Sequence, residues 1–148
     1  NGKKITEESI AKLTNLIENH NISELVDNYL AKNKYKTINI LVENHFNNED
    51  CIIITRIFLN KLKKILKLST EYEKNGNLDL TISSAKPPIF WKEKEITKQQ
   101  ILNWNPKNIK KLLYKVNNIE FLIKKNYNNS INLVTDFILS QASSKISN

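Results

Sequence analysis

Glycine, cysteine and arginine are almost missing from this chain. Among 148 residues there are two glycines, one cysteine and one arginine, Arg56. With only Gly2 and Gly76 available, no glycine-rich phosphate loop can be built, and no Walker motif is present. The single thiol, Cys51, excludes a disulfide framework and a cysteine-based zinc site. Its place in an apolar run reads as a small hydrophobe rather than a reactive group, and a lone thiol fits a reducing compartment. No apolar run approaches the roughly 18 residues of a membrane span, and Asn1-Gly2-Lys3-Lys4 leads into a polar helical pattern, not a signal-peptide core. His20 and His45 stand far apart beside asparagines, with no nucleophile in a recognisable setting. The sequence therefore assigns no catalytic, cofactor-binding or metal-binding residue, and the expectation is a soluble, cytoplasmic protein that is not an enzyme.

What the chain does have is lysine. Lysine and arginine total 23 against 15 acidic residues, a net charge of +8. A diffuse positive charge attracts any polyanion in a salt-sensitive way. Bidentate recognition of phosphate or guanine favours arginine, so the lysine bias argues against specific nucleic-acid readout. With abundant asparagine and isoleucine, it reads as drift in an A/T-rich genome. The length is that of one ordinary domain, able to bury roughly 68–70% of its extended surface without a metal or disulfide.

Apolar residues recur at helical spacing almost throughout. Thr6 caps a first helix with the stripe Ile10, Leu13, Leu16 and Ile17. His20-Asn21-Ile22 breaks it, and Ser23 caps a second helix carrying Leu25, Val26, Tyr29 and Leu30. A third covers about 35–46, with Ile38, Leu41, Val42 and Phe46. The fourth, about 48–74, carries Cys51, Thr55, Phe58, Leu62, Ile65, Leu66 and Ser69 on one face. The opposite face, Arg56, Asn60, Lys63, Lys64 and Lys67, reads as solvated surface rather than a phosphate site. Residues 52–54 are β-branched enough for a strand, but the continuous stripe behind them favours helix. Asn75-Gly76-Asn77 is a loop with Gly76 as a helix C′ residue, and a short turn follows at 78–83. A fifth helix spans about 93–104, with Ile96, Gln100, Ile101 and Trp104 inward. Asn105-Pro106 starts a sixth, to about Lys125, with asparagine as cap and proline at the first position. Asn129 or Ser130 starts the last, with Ile131, Val134, Phe137, Ile138 and Leu139, frayed from Ser143. The fold class is all-α, a bundle of six or seven helices without sheet, its longest members at 48–74 and 106–125.

Two features stand out against this background. Lys86-Pro87-Pro88-Ile89-Phe90-Trp91 cannot be helical, because two prolines fix φ twice near about −65° and restrict the residues before them. Pro87, Pro88, Phe90, Trp91 and, further on, Trp104 read as a structural corner between helical layers, with Phe90 and Trp104 largely buried. On the sixth helix Tyr114, Phe121 and Leu122 lie off the core stripe and are candidates for a partner surface, with Phe137 as the alternative anchor. Glu120 is either an i,i+4 partner of Lys124 or a buried structural acid.

Read in order, these elements resemble the C-terminal part of the bacterial DNA polymerase III delta subunit, a component of the sliding-clamp loader. The family shows a run like R-P-P-[VI]-F-F-K-R-[KR] where this chain has Lys86-Pro87-Pro88-Ile89-Phe90-Trp91-Lys92-Glu93-Lys94. It has R-W-S where Asn103-Trp104-Asn105 stands, and an A-E-L-A-L-K-T-like helix end where Ile119-Glu120-Phe121-Leu122-Ile123-Lys124-Lys125 stands. Glu24-Leu25-Val26-Asp27-Asn28-Tyr29-Leu30 is similar to D-L-V-D-A-L-L, and Ile5-Thr6-Glu7-Glu8 to the start of I-T-E-E-D-V. The resemblance implies that residues 1–20 are the last helix of a lid-like domain or a linker, and 21–148 a helical collar. Its partners would be the other loader subunits (gamma/tau and delta prime), the sliding clamp through an N-terminal domain outside this sequence, and DNA only through the complex. It implies no cofactor, membrane or small-molecule substrate. The alternative from the residues alone is a basic helical nucleic-acid-binding module using Lys63, Lys64 and Lys67 or Lys107, Lys110, Lys111 and Lys115.

Overall fold

The computed structural model describes residues 6–143. These form seven α-helices: α1 Glu7–Leu30, α2 Lys34–Asn44, α3 Asn48–Asn75, α4 Leu78–Ser83, α5 Lys94–Asn103, α6 Pro106–Lys125 and α7 Ser130–Ser143. Single 3-10 turns at Trp91–Glu93 and Tyr127–Asn129 lead into α5 and α7, and there is no strand among the described residues. The fold class is the one the periodicity predicts. Residues beyond Ser143, where fraying is expected, lie outside the described residues.

Asparagine punctuates the bundle. The side chains of Asn33, Asn47, Asn77 and Asn105 each accept the backbone N–H three residues on, which starts α2, α3, α4 and α6. At α3 this becomes a full capping box, since the Asp50 carboxylate accepts in return from the Asn47 N–H. Pro106 occupies the first turn of α6, where its missing N–H costs nothing. Gly76 ends α3 at φ 64°, a left-handed conformation that glycine adopts without a Cβ clash. Residues 52–54 are helical, because the stripe they begin is the buried face of α3.

That helix is the axis of the fold. About 42 Å long at 1.5 Å per residue, it packs against α1, α4, α5, α6 and α7, while α2 bridges α1 and α7. Its buried face runs from Cys51 through Ile54, Phe58, Leu62 and Ile65. These meet Ile22, Leu25, Val26 and Leu30 of α1 and Ile109, Leu112, Val116 and Ile123 of α6 in the main core. Phe58 stands edge-on to both Tyr29 and Phe137, with centroids at 5.0 and 5.8 Å. Phe137 is therefore partly buried, packed against the core through these two rings. A smaller cluster, Leu68, Ile82, Ile89 and Ile101, closes the far end of α3.

Three expectations are corrected. The helix at Thr6 does not break at His20-Asn21-Ile22: α1 runs unbroken over 24 residues, longer than α6 with 20, and it crosses the expected boundary between residues 20 and 21. What changes there is the direction of the apolar face. At about 100° per residue, Ile10, Leu13, Leu16 and Ile17 point roughly 180° away from Ile22, Leu25, Val26, Tyr29 and Leu30, so a reset in phase resembles a break in the chain. Second, Phe90 and Trp91 are exposed, at 55% and 69%, and Ile89 between Pro88 and Phe90 is the residue that enters the core, at 6%. Third, the helix expected at 35–46 stops at Asn44, with His45 left-handed at φ 47° and Val42 facing solvent. The Lys86–Pro87 peptide is cis.

Phe58→Ala should lower stability by about 3–5 kcal/mol, as for other buried large aromatics. Phe90→Ala should stay within about 0.5 kcal/mol, as at an ordinary surface site. Denaturant unfolding followed by circular dichroism separates the two.

Candidate interaction surfaces

Several polar groups of the interior are paired with one another. The last carbonyls of a helix have no partner within it; at the end of α1 those of Leu30 and of the C-cap Ala31 are met by side chains from the end of α5, as is that of Asp27, which also accepts from the Ala31 N–H at 2.9 Å. Gln100 donates to the Asp27 carbonyl at 3.0 Å, Trp104 Nε1 to that of Leu30 at 2.7 Å, and Asn103 to that of Ala31 at 3.0 Å. From α3, Lys61 reaches the Asp27 carboxylate at 2.6 Å and the Ser23 hydroxyl and carbonyl at 2.7 and 3.2 Å. Ser23 thus lies inside α1 as a ligand of Lys61 instead of capping a helix. Each group in this cluster is held by the others, which makes it a brace joining α1, α3 and α5. Trp104 is only half-buried, under Lys32 with Nζ 4.8 Å from the ring. Its place is fixed by its indole hydrogen bond and by Ser69, whose hydroxyl donates to its carbonyl.

Apolar side chains left outside this framework fall in separate patches. On α6, Tyr114 and Phe121 are 77% and 56% exposed, on the side away from Ile109, Leu112, Val116 and Ile123. Lys125 Nζ lies 5.2 Å from the Phe121 ring. Lys107, Lys110, Lys111 and Lys115 are exposed and make no ion pair among the described residues. Leu122 is half-buried beside this face. Glu120 is not a buried acid: it is partly exposed and pairs with Lys124 at 2.8 Å, the i,i+4 arrangement. At the corner, the rings of Phe90 and Trp91 lie 5.9 Å apart, with Lys92 Nζ 5.3 Å from Trp91. The first half of α1 leaves Ile10, Leu13, Leu16 and Ile17 all exposed. A shallow apolar groove between α2, α3 and α7 is lined by Val42, Phe46, Ile131 and Leu139.

The lysines of α3 have a different setting from those of α6. Lys67 donates to the Lys86 carbonyl at 3.3 Å and Lys64 stands 4.0 Å from Glu93, so both tie the Pro-Pro segment and the α5 entry to α3. Of Lys63, Lys64 and Lys67, Lys63 makes no such contact among the described residues. The exposed α1 stripe was missed as a surface, and the signal for it was the phase reversal in the spacing of its apolar residues.

Burial raises the Cys51 thiol to about 11, with the Asp50 carboxylate adding to the effect. Burial likewise pushes the Tyr29 phenol up, and its hydroxyl has no hydrogen-bond partner among the described residues. Lys98 is raised by its hydrogen bond and ion pair with Asp79, at 3.0 Å. No group of three or more histidine, cysteine, aspartate or glutamate side chains suited to a metal occurs among the described residues, and none of the helices described is long and apolar enough to cross a membrane. The molecule is an all-α bundle with an internally satisfied polar brace and several exposed apolar faces. No protein-family model, curated protein or solved structure matches it.

Native protein at pH 8 should leave Cys51 unmodified by a thiol reagent, because the thiol is buried and below its raised pKa almost none is thiolate. Denaturant should release one reactive thiol per chain. Rapid labelling of the folded protein would show that the α3 face opens readily.

Proposed function

We propose that this chain is a non-catalytic assembly module that binds other helical subunits through the outer face of α6. The observation that carries this is the position of Tyr114 and Phe121. A helix whose inner stripe already fills the core has no folding reason to carry two large rings on its far side, and aromatic residues are what protein interfaces concentrate their energy in. The more specific form of the reading is the collar of a DNA polymerase III delta-like subunit, assembling with gamma/tau and delta prime in the cytoplasm, and meeting the sliding clamp and DNA only through the complex. It is supported by the order of resembling segments, the Pro-Pro-Ile-Phe corner above all, and by the all-α bundle in which they fall. Cofactors and small-molecule substrates have no part in it.

A second reading has one observation in its favour. Lys107, Lys110, Lys111 and Lys115, exposed and without an ion pair among the described residues, share α6 with Tyr114 and Phe121, and lysine beside aromatic rings is also how single-stranded nucleic acid is held.

Co-expression with loader subunits from the same source, followed by purification in high salt, tests the first reading. An apolar collar contact survives salt, whereas phosphate contacts weaken steeply with it. Wild type should co-purify, and Phe121→Asp should be lost from the complex while keeping its helical circular dichroism. Retention of Phe121→Asp would remove α6 from the interface. Failure of the wild type to co-purify, with salt-sensitive binding of a single-stranded oligonucleotide, would favour the second reading.

A further inference from the structure

The exposed stripe on the first half of α1 and the exposed face of α6 are complementary in layout and in charge. On α1, Ile10 and Ile17 are seven residues apart, with Leu13 between them, and Glu24 follows Ile17 by seven on the same side. On α6, Tyr114 and Phe121 are also seven apart, and Lys107 precedes Tyr114 by seven. Seven residues span about 10 Å of helix, two turns, so each set forms a nearly straight line. The segment 7–24 carries Glu7, Glu8, Glu18 and Glu24 against a single lysine, Lys12, which is paired with Glu8 at 3.6 Å. On α6 there are six lysines against the one Glu120. The Glu24 side chain is 45% exposed, and among the described residues its ion-pair partner is His20, at 3.8 Å.

The two faces cannot meet within one molecule. Each points away from the core that its own helix helps to fill, so the two lie on outward sides of the same bundle. We infer that the first half of α1 from one copy docks antiparallel on the outer face of α6 in a second copy. In that register Ile10 meets Phe121, Ile17 meets Tyr114 and Glu24 meets Lys107. Glu7 then falls beside Lys124 and Lys125 at the other end. Antiparallel packing also sets opposite helix dipoles against each other, and the parallel alternative would leave Glu24 beyond the end of α6. The contact pairs unlike surfaces. It closes as a reciprocal dimer when each copy engages the other's α6, and otherwise runs head to tail. One helix seated on another over about five turns makes a small interface, at the low end of specific contacts, so association belongs in the micromolar range. This inference deepens the assembly reading and rests on it, naming the partner of the α6 face as the α1 stripe of another copy.

Sedimentation equilibrium of the purified chain, with charge reversal, tests it. Wild type should associate reversibly with concentration. Glu24→Lys and Lys107→Glu should each weaken association roughly three- to tenfold, and the two together should restore it. Ile17→Cys with Tyr114→Cys should cross-link between copies under mild oxidation, while Ile17→Cys with Lys63→Cys should not. The circular dichroism of every variant reports whether it is folded. A wild type that stays monomeric at high micromolar concentration overturns the contact, as does association that neither reversal weakens or that the double reversal does not rescue. If that monomer still co-purifies with loader subunits through Phe121, the assembly reading stands without the self-contact. If copies associate through Glu24 and Lys107 but ignore loader subunits, the self-contact stands and the collar reading falls.

Discussion

Helix α1 ends with carbonyl oxygens that it cannot satisfy itself, and the arrangement of the bundle follows from how they are met. Gln100, Asn103 and Trp104 bring α5 to that end, and Lys61 brings α3 to Asp27 and Ser23 one and two turns earlier. Three helices far apart in sequence are thereby set at fixed positions before any apolar contact is counted. Burying such groups unpaired would cost about 1–3 kcal/mol each. Paired, they add direction, which apolar packing alone does not have. The core then fills the angle they define, with Phe58 between Tyr29 and Phe137 at its centre.

A brace at residues 23–31 also explains why α1 can project. Its second half is held by hydrogen bonds and by five apolar side chains, so its first half needs no contact with the body to stay helical. Thr6 caps that half, and Glu7 and Glu8 lie where the helix dipole favours negative charge. The result is an arm whose apolar residues face away from the molecule. On α6 the same principle acts on a complete helix, with one stripe inward and two aromatic rings outward among lysines. Both surfaces are left over once the core is filled by the opposite faces of the same helices.

The sequence made most of this legible where the signals are local. Asn105-Pro106, Gly76 and the stripe from Cys51 to Ser69 locate helix ends and faces because caps and periodicity act within one or two turns. It misled at His20-Asn21-Ile22, where a reversal of apolar phase and a run of poor helix formers imitate a terminus. It misled again at Ile89-Phe90-Trp91: outside a helix no period says which of three adjacent apolar residues turns inward, and ring size favours the wrong two. The pairings of Trp104 with Leu30 and Gln100 with Asp27 span more than 70 residues, and no local pattern encodes them. Of the surface residues singled out, Tyr114 and Phe121 are exposed, whereas Phe137 is drawn into the core by Tyr29 and Phe58, contacts that only the fold reveals.

The central claim is that α1 is one helix with an anchored half and a projecting half that faces away from its own core. Native-state hydrogen exchange of the dilute monomer, resolved by residue along α1, tests it directly. Amides from Leu25 to Leu30 should exchange only through global unfolding, while those from Ile10 to Ile17 should exchange orders of magnitude faster. Uniform strong protection along the whole helix in the monomer would contradict it, because the first half would then be packed against the body of the same molecule.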